Sequence, residues 1–200
     1  ALHFLQLGDD LKRTILSGGK QFGLAESQSR IIENQIGRSR EFWSYCFPVF
    51  KETFGELKNI SEDQFYFALN KVSPGLVRIS SDELHYCLHI IIRFELEVAI
   101  FEGKIKVEDI PREWNKKYEE YIGVAPKNDA EGALQDIHWS WALFSYFPTY
   151  ALGSMYASII FNNIKEEHPS VMDEIKDGEF KTIREWLCKN IHQHGIRYLT

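Results

Sequence analysis

His138, Tyr146 and Tyr150 lie in a part of the sequence whose composition is typical of a pocket wall. They belong to the segments Gly132-Ala-Leu-Gln-Asp-Ile-His-Trp139 and Tyr146-Phe-Pro-Thr-Tyr150, which mix polar and aromatic residues with small ones. Tyr and Trp combine apolar bulk with a polar tip, so such segments can line a binding site. From composition alone, a well-packed aromatic core is the equal alternative.

His85 and His89 form a second candidate, because they are four residues apart in a helical pattern. This spacing places both imidazole rings on one helix face, as in helices that bind zinc. A hydrolytic zinc site would also carry a glutamate inside the pair, but the intervening residues are Tyr, Cys and Leu. We therefore interpret both as histidines of the core, or as histidines that contact the residues of a site, and not as zinc ligands.

A third candidate is the polar run Glu26-Ser-Gln-Ser-Arg30. Ser, Gln, Arg and Glu are ordinary surface residues, so spacing alone favours a solvated helix face. Arg78, Asp82 and Glu83 likewise fit capping and ion-pair roles. The residue types alone assign no chemistry to these positions.

Helical patterns dominate the elements that must position these residues. Capping boxes are predicted at Ser61 with Gln64 and at Ser80 with Glu83, the second before a long apolar stripe. Further helices are predicted at 111–121, 143–165 and 179–193. No repeat or linker divides the sequence, so we predict a single all-α domain over residues 1–200, with a minor short β element near 76–79.

Composition and charge exclude several classes of function. The 29 acidic and 23 basic residues give a formal charge of −6 at pH 7 without a long basic run, so nucleic acid is not an expected partner. No apolar stretch reaches the roughly 18 residues that a membrane span needs. The three widely spaced cysteines fit free thiols in a reducing compartment. We therefore expect a cytoplasmic protein without membrane contact.

Several segments occur in a fixed order along the chain. They are Glu26-Ser-Gln-Ser-Arg30, Ile79-Ser-Ser-Asp-Glu83, Leu88-His-Ile-Ile-Ile-Arg-Phe-Glu-Leu-Glu97 and Gly132-x-x-Gln-Asp-x-His-Trp139. Three more are Asp109-Ile-Pro-x-x-Trp114, Tyr146-Phe-Pro-Thr-Tyr-Ala-Leu-Gly153 and Trp186-Leu-x-x-Asn-Ile-His192. This ordered set resembles the carboxypeptidase Taq family of thermostable metallocarboxypeptidases, and it covers nearly the whole chain.

The resemblance implies a helical fold with a deep groove, the C-terminal part of a zincin-like metallocarboxypeptidase. In that family two histidines of an HExxH helix and a later glutamate hold zinc, cobalt or manganese, and the glutamate matches Glu26. Ala1-Leu2-His3 resembles the residues that follow the second histidine, so HExxH is expected immediately upstream of Ala1. A chain with one ligand and no HExxH base is expected to bind no metal tightly and to be inactive alone.

The resemblance also implies roles in the intact enzyme, which would release C-terminal residues from peptides by attack of a metal-activated water. His138 and Tyr150, with Tyr146 as the alternative donor, match groups that stabilise the oxyanion. Arg78 is the candidate to bind the substrate's free carboxylate. The family further implies a homodimer. Ala25 stands where the family usually has histidine, which favours the alternative of a non-catalytic binding or dimerisation module derived from the family.

Overall fold

A computed structural model describes residues 2–17 and 21–198, and every regular element in those ranges is helical. The α-helices are α1 (Leu2–Leu5), α2 (Phe22–Arg30), α3 (Arg40–Thr53), α4 (Glu62–Leu69), α5 (Glu83–Phe101), α6 (Ile110–Tyr121), α7 (Pro148–Glu167), α8 (Val171–Lys176) and α9 (Lys181–Asn190). A π-helical stretch, Ile31–Ile36, continues α2. The predicted all-α class is confirmed. Ala1, part of the register expected after HExxH, lies outside the described residues.

Two helix starts show how local chemistry sets the boundaries. The capping box predicted for α4 is present, since Gln64 Oε1 accepts from Ser61 N at 2.8 Å and Ser61 Oγ accepts from Gln64 N at 3.2 Å. The box predicted at Ser80 is wrong. Asp82 caps α5 instead, and its Oδ1 accepts from two backbone N–H groups of the first turn at 2.9 Å each. A carboxylate at this position also interacts favourably with the helix dipole.

The short β element predicted at Leu76–Ile79 is wrong. Val77 is extended, with φ −103° and ψ 118°, but Arg78–Ser80 form a 3-10 turn and no residue in the described ranges is part of a strand. In a β-strand the backbone groups are satisfied by a neighbouring strand. Here a side chain takes that place, because Arg78 N donates to Gln135 Oε1 at 2.9 Å.

The chain forms two compact units, and the boundary between them falls within α7. The first unit comprises Ala1–Leu69 and Leu152–Thr200, and the second comprises Asn70–Ala151. Compactness alone does not establish independent folding, so the single domain predicted for residues 1–200 stays a prediction. No helix in the part of the chain that the structure describes is long and apolar enough to cross a membrane.

The first unit has an aliphatic core that joins the π-helical stretch to α7, α8 and α9. Ile31, Ile164, Val171 and Ile175 in this core have no exposed surface. Each such side chain contributes about 1.5–3 kcal/mol when fully buried. The core therefore fixes the π-helical continuation of α2 against α7, and thereby the backbone that carries Glu26.

The second unit is built on the packing of α5 against α6. Ile92 and Leu96 of α5 and Trp114 and Tyr118 of α6 are buried in its core. The same helix α5 also buries three polar residues at intervals of four, which are His89, Arg93 and Glu97. Because residues four apart share a helix face, these three side chains form one buried polar stripe.

Candidate active site

The side chain of Gln135 fixes the segment that leads to His138. Besides accepting from Arg78 N, it donates from Nε2 to Leu76 O at 3.0 Å and to Tyr118 Oη at 3.1 Å. These bonds satisfy backbone groups of the irregular stretch before α5. They also bring Asp136, the next residue, alongside Arg78.

Arg78 and Asp136 form a buried bidentate ion pair. Arg78 donates from Nε to Oδ2 at 3.0 Å and from Nη2 to Oδ1 at 2.8 Å, and each side chain is 9% exposed. Burial opposes both charges, but the paired charge and hydrogen bonds outweigh it, so the pKa of Arg78 is raised and that of Asp136 is lowered. Both groups are therefore charged at pH 7.

His138 and Tyr150 are joined by a hydrogen bond of 2.9 Å between Nε2 and Oη. The ring centroid of Tyr146 lies 5.5 Å from each of these two rings. Phe147 meets the His138 ring edge-on, with centroids 4.7 Å apart. The structure thus brings together the three residues that the resemblance implies as oxyanion-stabilising groups, and their catalytic roles stay predictions.

The protonation of His138 follows from its surroundings. Burial lowers its pKa, an effect that Asp136 opposes and that Arg93 and Arg78 reinforce, so the ring is neutral at pH 7. Nδ1 is buried 3.9 Å from Asp136 Oδ1 and has no hydrogen-bond partner in the described ranges. In the tautomer with the proton on Nε2, His138 donates to Tyr150. In the other tautomer, in which Nδ1 carries the proton on the side of Asp136, Nε2 accepts from the Tyr150 hydroxyl, so only the first tautomer leaves that proton for an oxyanion.

The contacts of Arg78 bear on its predicted role as the group that binds the substrate's carboxylate. Nε and Nη2 are engaged by Asp136, and Nη1 donates to Tyr86 Oη at 3.2 Å. A guanidinium has five N–H groups, so two are left without an acceptor among the described residues. Direct substrate binding by Arg78 stays a prediction, and the observed contacts support a role in holding Asp136 beside His138.

The zinc-pair interpretation of His85 and His89 does not fit the structure. His89 is 1% exposed and its Nδ1 lies 2.7 Å from Tyr118 Oη, with the two rings in edge contact. Burial lowers the pKa of His89 to about 4. His85 instead turns to Asp82, with Nδ1 at 2.7 Å from Oδ2. Both rings therefore have structural partners, as the residues between the two histidines favoured against the zinc spacing.

Glu26 lies on α2 in the first unit, against α7. A Cβ atom added at Gly153 would lie 2.7 Å from Glu26 Cβ and Cγ, closer than real Cβ atoms approach. Glycine at this position therefore permits the close approach of the two helices around Glu26. One turn later, Arg30 donates to Ser154 Oγ at 3.1 Å and to Glu33 at 2.7 Å, and so ties the end of α2 to α7.

Glu26 suits a divalent cation as one oxygen ligand, but it does not form a site with its described neighbours. Within residues 2–17 and 21–198 no three His, Cys, Asp or Glu side chains stand close enough to hold a metal ion. Zinc requires three protein ligands in a catalytic site. Ala25, before Glu26, is exposed and offers no donor. The described residues can therefore supply one ligand, not a complete metal centre.

Sequence reasoning assigns no role to Asp136, Arg93 or Glu97, three charged residues of the second unit whose side chains are less than 10% exposed. Arg93 is fully buried and Glu97 is 3% exposed. The signal that could have identified these two was the spacing of four between His89, Arg93 and Glu97 in a helix whose other core residues are mainly apolar. Charged residues are rarely buried without a partner, so that stripe predicts a site or a structural network.

The sequence matches known carboxypeptidases over nearly its whole length. Carboxypeptidase 1 of Bacillus subtilis is 43% identical over 198 residues, which are 98% of this chain and 40% of the relative. Thermostable carboxypeptidase 1 of Thermus thermophilus is 44% identical over 176 residues, which are 88% of this chain and 34% of the relative. The chain thus spans well under half of the length of these curated relatives.

The fold of the chain is also similar to that of a known carboxypeptidase. The crystal structure of M32 carboxypeptidase from Deinococcus radiodurans is similar to this chain with a TM-score of 0.91 at 36% identity, over 98% of this chain and 40% of that chain. The sequence profile of the carboxypeptidase Taq (M32) metallopeptidases matches residues 1–200. A match over the entire printed sequence, with a shared helical fold, shows that this chain belongs to the carboxypeptidase Taq (M32) family of metallopeptidases.

Proposed function

We propose that this chain is the part of a metal-dependent carboxypeptidase that stabilises the reacting carbonyl oxygen and contributes one metal ligand. The observation that carries the proposal is the 2.9 Å hydrogen bond between His138 and Tyr150, next to the ion pair of Arg78 and Asp136. Perturbed ionisable groups gathered around a hydrogen-bonded His and Tyr are characteristic of catalytic sites. Membership of a metallopeptidase family supports the same reaction class.

The chemistry divides between the metal and the residues of this chain. A bound metal ion lowers the pKa of a water molecule and polarises the scissile carbonyl. Glu26 is the ligand that this chain contributes, and zinc, with cobalt or manganese as alternatives, is the proposed ion. Tyr150, oriented by His138, donates to the oxygen that becomes negative as the peptide bond is attacked. Tyr146 is the alternative donor, because its ring lies beside both residues.

The restriction to C-terminal residues requires a cation that recognises a free carboxylate. Arg78 is proposed for this role through its two remaining N–H groups. Its pairing with Asp136 also fixes the carboxylate that faces Nδ1 of His138 at 3.9 Å. The two roles proposed for Arg78, binding of the substrate and positioning of Asp136, predict different kinetic effects when Arg78 is substituted. Loss of substrate binding raises KM, whereas loss of positioning lowers kcat.

The test uses the protein expressed from its native gene. We expect about one equivalent of bound metal and stepwise release of C-terminal residues from an N-terminally blocked peptide, abolished by a chelator. The same peptide with an amidated C-terminus is the matched control and should not be cleaved, because it lacks the carboxylate. Absence of both metal and cleavage would contradict the proposal. That outcome would favour the non-catalytic binding or dimerisation module, to which Ala25 points.

Two further features complete the proposal. A cytoplasmic location is supported by the spacing and sequence surroundings of the three cysteines, which suit a reducing compartment. A homodimer is supported by the resemblance to the family. Light scattering of the purified protein tests the dimer, and a mass equal to one chain would contradict it.

A further inference from the structure

Residues 139–147, here called the clamped segment, connect His138 to the helix that carries Tyr150. This segment includes two non-glycine residues with left-handed backbone, Ala142 at φ 56° and Ser145 at φ 60°. Residues other than glycine disfavour this conformation. The segment therefore needs contacts from elsewhere to keep one conformation.

Glu97 of α5 makes two of those contacts. Its Oε1 accepts from Trp139 Nε1 at 2.6 Å, and its Oε2 accepts from the backbone N–H of Ser145 at 2.7 Å. Both bonds have a charged acceptor, which makes them stronger than neutral hydrogen bonds. A single buried carboxylate thus closes the loop from Trp139 to Ser145.

Arg93, one turn before Glu97, makes the other contacts. Its guanidinium lies 4.1 Å from the ring centroid of Trp139 and 4.2 Å from that of Phe147, at opposite ends of the clamped segment. Cations are attracted to the faces of aromatic rings, most strongly when both are desolvated. Burial lowers the pKa of Arg93 to about 10, and Asp136 and Glu97 oppose the shift, so the group is charged at pH 7.

Phe147 transmits this positioning to the His138–Tyr150 pair. It is 1% exposed, and its ring meets the ring of His138 at 4.7 Å and that of Tyr150 at 5.5 Å between centroids. Both contacts are edge-to-face, the geometry that aromatic pairs favour. A displacement of Phe147 would therefore move both members of the hydrogen-bonded pair.

We propose that Glu97 and Arg93 are positioning residues, which hold the clamped segment so that His138 and Tyr150 stay at hydrogen-bond distance. The inference rests on the proposed carboxypeptidase function, because it concerns the same pair. Neither residue is proposed to touch the reacting atoms. They act through Trp139 and Phe147, so their loss should lower kcat much more than it changes KM.

The test compares three variants of the protein expressed from its native gene. Glu97→Gln keeps the size of the side chain but turns one of its two acceptors into a donor. Trp139→Phe removes the indole N–H together with the five-membered ring that carries it, and leaves a smaller aromatic ring for Arg93. Glu95→Gln is the matched control, because Glu95 lies on the same helix but pairs with Lys117 and Tyr121. Kinetics on a blocked peptide are combined with ¹⁵N resonances of His138 and of the Trp139 indole.

Glu97→Gln and Trp139→Phe should each lower kcat by about tenfold or more, with KM within about threefold, since small misplacements of catalytic groups have large kinetic effects. The imidazole resonances of His138 should shift in both, and Glu95→Gln should match the wild type in every measurement. Values of kcat within about twofold of the wild type, with unchanged His138 resonances, would overturn the proposal. If Glu97→Gln does not fold, Trp139→Phe decides by the same criteria.

The ¹⁵N resonances of His138 test the positioning role of Glu97 independently of the proposed carboxypeptidase activity. If the wild-type protein releases no C-terminal residues, the carboxypeptidase proposal fails. The spectra alone then test whether Glu97 holds the clamped segment. A shift of the His138 resonances in Glu97→Gln then supports it, and identical spectra in wild type and variant overturn it.

Discussion

Gly153 provides the sharpest test of how Glu26 is positioned. Replacement by alanine would place a methyl carbon 2.7 Å from Glu26 Cβ and Cγ. Carbon atoms that are not bonded pack best at about 3.5–4.0 Å, so α2, α7 or the Glu26 side chain must move by about 1 Å. The atoms in the way are at the root of the Glu26 side chain. Rotation of its carboxylate therefore cannot relieve the clash.

The expected effects follow from that displacement. Overpacking of a close helix contact costs about 1–3 kcal/mol in the free energy of unfolding. If Glu26 is a metal ligand, a shift of about 1 Å should also weaken metal binding and lower kcat/KM by up to about 100-fold. Gly153→Ala should therefore be less stable, hold less metal and cleave peptides more slowly.

Denaturant unfolding, metal analysis and peptide hydrolysis measure the three effects. Gly55→Ala is the matched control, because no atom lies within 4 Å of a Cβ added there. We expect that control to be neutral or stabilising by up to about 1 kcal/mol, since alanine restricts the unfolded chain. Equal free energies of unfolding for the two variants would refute the packing argument. Full metal content in a destabilised Gly153→Ala would refute the assignment of Glu26 as a ligand.

Two further predictions concern buried carboxylates. Hydrogen bonds from backbone N–H groups and from His85 outweigh burial and hold the pKa of Asp82 at about 2, below its ordinary 3.8. Asp82→Ala should therefore cost about 1 kcal/mol in unfolding free energy at pH 7. That difference should shrink as the pH falls from about 4 to about 2, and a constant difference in urea titrations would contradict it. Asp136→Asn leaves Arg78 buried without its counter-charge and should cost about 3–5 kcal/mol. Glu185→Gln breaks an exposed ion pair with Lys181, which lies 3.8 Å away on α9, and should cost less than about 1 kcal/mol. Equal losses in Asp136→Asn and Glu185→Gln would contradict the buried-pair argument.

Elements that depend on local interactions could be predicted from the sequence. The capping box of Ser61 and Gln64 requires only residues three apart, and it is present. The helix predicted at 111–121 is Ile110–Tyr121, with Pro111 in its first turn and Gly123 at φ 82° after its end. These features depend on backbone preferences that a few neighbouring residues determine.

Elements that depend on contacts between residues far apart in the sequence could not be predicted in the same way. The pattern at Leu76–Ile79 suits a strand, but its backbone partner is the side chain of Gln135, which no local pattern indicates. The helix predicted to begin at residue 143 begins at Pro148, because Ser145 adopts a left-handed conformation and its N–H binds Glu97. In both cases a long-range hydrogen bond overrides local propensity.

The candidate site shows the same division. The residue types around His138 and Tyr150 indicated a polar pocket wall or an aromatic core, and the structure places the pair at 2.9 Å. Their supporting residues could not be assigned, because the partner of Arg78 lies 58 residues away at Asp136. For Glu97 the spacing of four with His89 and Arg93 indicates a buried polar stripe, but it does not indicate which residues Glu97 contacts. Its two hydrogen-bond donors, Trp139 and Ser145, lie on a loop that folds back onto α5.

The most direct test of catalysis by the His138–Tyr150 pair is the turnover number of Tyr150→Phe in the protein expressed from its native gene. This change removes one hydroxyl and keeps the ring that packs on Phe147. We predict that kcat for release of a C-terminal residue falls by about 100- to 1,000-fold with little change in KM, as for loss of one oxyanion donor. An unchanged kcat in a folded, metal-loaded variant would contradict the assignment of the His138–Tyr150 pair to catalysis.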